Sequence, residues 1–73
     1  MNSTRSDTTY RLVIRGELDS RYAYLFEGME MEQVRGTTVL TGSVRDRAQL
    51  HGIIKRIEEF GLDLLELQQV SRD

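Results

Sequence analysis

Between residues 39 and 61 the apolar pattern changes period, and the flanking segments can be read around that change. In Val39-Leu40-Thr41-Gly42-Ser43-Val44 the β-branched residues and the lack of charge favour a strand buried on part of both faces. Arg45 ends it. Asp46 is a good N-cap, and Gln49, three residues on, can reach back to the backbone N–H of the cap. From there Leu50, Ile53, Ile54, Ile57 and Phe60 recur at three- and four-residue steps and make one apolar stripe. Arg47, Lys55, Arg56, Glu58 and Glu59 lie mostly away from it. Gly61 stands where a left-handed residue closes a helix, and Leu62 can fold back onto the last turn.

Upstream, residues 10–18 alternate: Tyr10, Leu12, Ile14 and Leu18 point one way, and Arg11, Val13, Arg15 and Glu17 the other. This predicts a strand with one buried face and Val13 as the apolar exception on the other. Asp19 or Ser20 can cap a two-turn helix over 21–27, stopped by Gly28. Residues 29–34 alternate methionine with glutamate, which reads as an edge strand whose charges discourage pairing with other chains. Arg35-Gly36-Thr37 then connects it to the next strand as an antiparallel hairpin. In 63–70 alternation breaks down, because Leu64, Leu65, Leu67 and Val70 leave neither face polar. The order strand, helix, strand, strand, helix, strand predicts an α+β, ferredoxin-like βαββαβ fold. It would have a four-stranded antiparallel sheet with two helices on one face, and the first and third strands central. Residues 1–8 are expected to form a flexible polar tail and residues 9–71 a single domain.

Composition narrows the function classes. A chain of 73 residues without cysteine has no disulfide or zinc–thiolate support, and a domain this small gains most from tight packing or a second copy of itself. A homodimer is therefore expected, with an unidentified protein partner as the alternative. The net charge of −2, with no run of like charge reaching five residues, argues against a nucleic-acid partner. With no apolar stretch long enough to span a bilayer and no export signal, no membrane role and a cytoplasmic location are expected. No cofactor and no metal is indicated.

The run Leu40-Thr41-Gly42-Ser43-Val44-Arg45-Asp46-Arg47-Ala48-Gln49-Leu50-His51-Gly52, with Arg56-Ile57 and Gly61-Leu62 after it, resembles a group of short uncharacterised bacterial proteins. They share a T-x-L-x-G-x-V-x-D-x-A-x-L-H-G type of pattern, and the resemblance implies no activity. Val39 to Val44 with Gly61-Leu62 is more loosely similar to the BON domain, which implies phospholipid surfaces. ACT-like regulatory modules share the predicted topology, an analogy at the level of fold alone.

Candidate chemistry is sparse. His51 is the one histidine; as an acid or base it would want an oriented carboxylate, and Lys55 at i+4 has the wrong charge. A structural histidine at the edge of the stripe is the simpler reading. Gly52 beside it costs helix stability, which a close approach of sheet, partner or ligand would offset. His51, Gly52 and Arg45 are the candidate ligand-binding residues. Glu30 and Glu32 share a strand face and could hold a divalent ion weakly, though solvated edge charges are the simpler reading. The candidate interface is the open sheet face, with Arg11, Val13, Arg15, Val39, Thr41, Leu65 and Leu67. It lacks the stacking aromatics RNA would need, and an apolar centre rimmed by charge suits a protein partner. The leading expectation is a small non-enzymatic interaction or regulatory module that dimerises through this face. The alternatives are an ACT-like small-molecule binder using the turns near Gly16-Glu17 and Val44-Arg45, and an enzyme built on His51 with Tyr22 or Tyr24.

Overall fold

The structure, a computed structural model, describes residues 8–72. Strands β1 (Thr8–Arg15), β2 (Met29–Val34), β3 (Thr37–Val44) and β4 (Leu64–Arg72) form one antiparallel sheet in the order β2-β3-β1-β4. A 3-10 segment, Ser20–Phe26, joins β1 to β2, and one α-helix, α1 (Arg47–Glu59), joins β3 to β4. Of the tail expected over 1–8, residues 1–7 lie outside the described residues and Thr8 begins β1.

The expected ferredoxin-like βαββαβ arrangement with two α-helices is thus corrected: one α-helix and a 3-10 segment stand in its place. Asp19 caps the segment through a side-chain bond from the Arg21 N–H, and its carbonyl accepts from the Tyr22 N–H at 2.9 Å, the i→i+3 pattern. Seven residues are too few for a self-supporting α-helix, so tertiary contacts decide the geometry. At about 2.0 Å per residue the 3-10 form also reaches farther across the sheet than an α-turn. Leu25 and Phe26 are buried at its end, and the Arg56 guanidinium on α1 donates to the Leu25 carbonyl at 2.7 Å.

α1 follows its sequence signals closely at both ends. Asp46 accepts from the Gln49 N–H at 2.9 Å. The Gln49 side chain reaches back one residue farther than expected, to the Arg45 N–H at 2.7 Å. At the other end Leu62 N–H bonds to Ile57 C=O and Gly61 N–H to Glu58 C=O, both at 3.0 Å, with Gly61 at φ 70°. That is a Schellman closure, with Leu62 and Ile57 both packed into the core. Phe60 is the helix C-cap and half exposed rather than part of the buried stripe.

The core lies between α1, the 3-10 segment and one side of the sheet, and comprises Leu12, Ile14, Leu25, Phe26, Leu40 and Ile57. Residues expected to extend β1 to position 18 instead turn away at Gly16, φ 91°. Thr38, fully buried on β3, fixes that departure: its hydroxyl donates to the Gly16 carbonyl at 2.7 Å and accepts from the Leu18 N–H at 2.8 Å. The hairpin turn is tighter than expected, two residues with Arg35 at φ 46° and Gly36 at φ 81°, between the paired Val34 and Thr37. Gly42 matters for packing, since a Cβ there would stand 2.8 Å from the Gly28 carbonyl oxygen and 3.0 Å from Met29 Cα.

Thr38→Val keeps shape and removes the hydroxyl, leaving two backbone groups unpaired. Its expected cost is about 2 kcal/mol, read as a lower urea midpoint with unchanged slope. Thr38→Ser should lose less than half of that. Equal loss in both variants would mean that packing, not the hydroxyl, holds the loop.

Candidate functional site

α1 and the 3-10 segment cover one side of the sheet, and strand register builds the other side row by row. Directly paired residues of neighbouring strands point to the same face. In sheet order, one row is Glu32, Val39, Val13 and Glu66. The next, toward the start of β1, is Glu30, Thr41, Arg11 and Gln68. The row on the other side sets Val34, Thr37 and Arg15 together. Two valines therefore adjoin at the centre, with glutamates at both ends of their row.

Arg11, Val13, Arg15, Val39 and Thr41 come together here. Val39, paired with Val13 on one strand and Glu32 on the other, is only 7% exposed. Leu65 and Leu67 do not join them. Leu67 is paired with Leu12, which is fully buried on the helix side, so Leu67 lies at the margin of that side, 42% exposed. Leu65 is the extra residue of a bulge, since Val13 pairs with Glu66 but Ile14 with Leu64. A second register shift leaves out Val70. These two bulges are the physical reason alternation fails along β4.

The electrostatics of the face are ordered by strand. Arg11 and Arg15 stand on β1, and Glu30 and Glu32 on edge strand β2. Arg11 meets Glu66 at 3.6 Å and Arg15 meets Asp63 at 3.4 Å, both solvated pairs that contribute little by themselves. Glu30 and Glu32 share this face as expected; among the described residues no three potential ligands converge as a metal site requires.

The candidate ligand-binding residues are dispersed. Arg45 borders a depression of about 150 Å³ with Tyr10, Val44, Asp46 and Leu50. Gly52 lines a different one, with Phe26, Ile53 and Arg56. His51 is exposed on α1 and borders neither. The close approach expected at Gly52 is not present within the chain, for a Cβ added there meets nothing within 4 Å. The residues that sequence reasoning missed are Thr38 and Gly42. Gly42 carried a signal, a glycine inside an apolar strand, which marks close backbone contact; Thr38 looks like any strand threonine.

A family model described as a domain of unknown function, DUF8691, matches residues 9–68. The chain belongs to that family. This agrees with a resemblance to uncharacterised proteins, while the match bears on neither the BON nor the ACT-like likeness. No curated protein and no solved structure matches the chain. Among the described residues no helix is long and apolar enough to cross a membrane.

Gly52→Ala follows from the open space at that position. Alanine should raise stability by about 0.5–1 kcal/mol through its helix preference, measured as a higher urea midpoint. A loss of stability would show that Gly52 meets something outside its own chain.

Proposed function

We propose that this chain is a small non-enzymatic interaction module whose uncovered sheet face takes a second copy of the chain. The observation that supports the reading is the row Glu32-Val39-Val13-Glu66, an apolar centre held between charged margins. Protein interfaces are organised in that way, with a desolvated centre and a polar rim. The stems of Arg11 and Arg15 and the Thr41 methyl widen the apolar area around the valines. Size adds to the argument: a 73-residue chain with a core on one side of its sheet gains stability from anything that covers the other.

The test is solution mass by light scattering, for the wild type and for Val13→Asp. The wild type should pass from monomer to dimer as concentration rises. Val13→Asp, with circular dichroism unchanged, should shift that transition to at least about tenfold higher concentration, as expected for a charge placed at a desolvated centre. Identical curves for two folded proteins would reject the reading.

A further inference from the structure

Charge placement on the face fixes how two copies would meet. Resting on the dimer reading above, we infer that the copies pack face to face about a two-fold axis running along β3, so that Arg11 of each lies against Glu30 of the other.

The argument is one of charge complementarity. In sheet order the face presents an acidic strand β2 (Glu30, Glu32), a neutral strand β3 (Thr37, Val39, Thr41), a basic strand β1 (Arg11, Arg15) and Glu66 on β4. A two-fold axis in the plane of the interface and along β3 exchanges left and right but keeps each row level. It therefore sets β1 of one copy over β2 of its partner, arginine over glutamate. Val39 meets Val39 at the axis. Glu32 lays its stem across the partner's Val13, with its carboxylate free to turn toward the partner's Arg15 in the next row. Glu66 overhangs the seam and keeps its contact with Arg11 in its own chain.

Other symmetric placements are poorer. An axis perpendicular to the strands would set β1 over β1 and β2 over β2, arginines against arginines and glutamates against glutamates. An axis between β3 and β1 would bring Glu32 over the partner's Glu66. Like charges brought together in a seam oppose association strongly, and of these placements the axis along β3 alone sets arginine against glutamate. Two twisted sheets meeting this way keep their strands within about 30° of one another, the aligned class of sheet packing.

An isologous seam of this kind has a signature in mixtures. Arg11→Glu alone sets the new carboxylate against Glu30 twice per dimer, and Glu30→Arg alone sets the new guanidinium against Arg11 twice. Each variant by itself should need at least about tenfold more protein to dimerise than the wild type. In the first variant both positions of the contact are acidic, and in the second both are basic. Mixed in equal amounts, the two pair acid with base at both contacts again. The expected result is two variants that are monomeric by light scattering and a one-to-one mixture that is dimeric at the same total concentration, all three with native circular dichroism. Variants that dimerise like the wild type, or a mixture no heavier than its components, would overturn this placement while leaving the dimer reading standing. A wild type that stays monomeric throughout would overturn both. Should either reversal unfold the chain, Arg11→Gln and Glu30→Gln serve instead, each expected to weaken the dimer, with no effect from either overturning the placement.

Discussion

One buried hydroxyl sets the plan of this domain. Thr38 binds both the carbonyl of Gly16 and the N–H of Leu18, so the chain leaving β1 is held against β3 and not free to continue as a strand. Around it the same loop is tied to the hairpin by Glu17 accepting from the Gly36 N–H at 2.8 Å, Gly16 donating to the Gly36 carbonyl at 2.7 Å, and Gln33 donating to the Leu18 carbonyl. Buried backbone groups without partners are costly, and these bonds satisfy an irregular segment that neither helix nor sheet could. The loop's position aims the 3-10 segment across the sheet, where Leu25 and Phe26 close the core beside Ile57.

With the two helical elements on one side, the sheet has an inside and an outside, and the two sides were unequally legible from residues alone. α1 could be placed to within a residue because Asp46, Gln49, Gly61 and Leu62 each act locally, through bonds that span only a few positions. The segment after Asp19 could be located but not typed. Its length leaves the choice between α and 3-10 geometry to contacts with α1, such as Arg56 on the Leu25 carbonyl, which are 31 positions apart and invisible in a local pattern. β4 misled for a related reason. Period-two reasoning put Leu65 and Leu67 together, whereas the bulge at Leu65 resets the phase, so that Leu67 joins Leu12 on the helix side.

The outer face is what remained readable as function. β1 contributes Arg11, Val13 and Arg15, and β3 contributes Val39 and Thr41, as strict alternation requires. Register adds what alternation lacks, the order of strands across the face, and with it the separation of acidic β2 from basic β1 by a neutral strand. Arg45, His51 and Gly52, by contrast, are not brought together: the fold places Arg45 and Gly52 at separate depressions.

A seam that sets Val39 and Val13 beside the other copy can be read directly by nuclear magnetic resonance. In a dimer assembled from equal parts of isotope-labelled and unlabelled chain, isotope-filtered spectra report only contacts between copies. The expected result is cross-peaks from the Val13 and Val39 methyl groups to the other chain, and none from Phe60 or the residues of α1. Intermolecular contacts confined to α1, to Phe60 or to the outer edge of β4, or no such contacts at any concentration, would contradict the account.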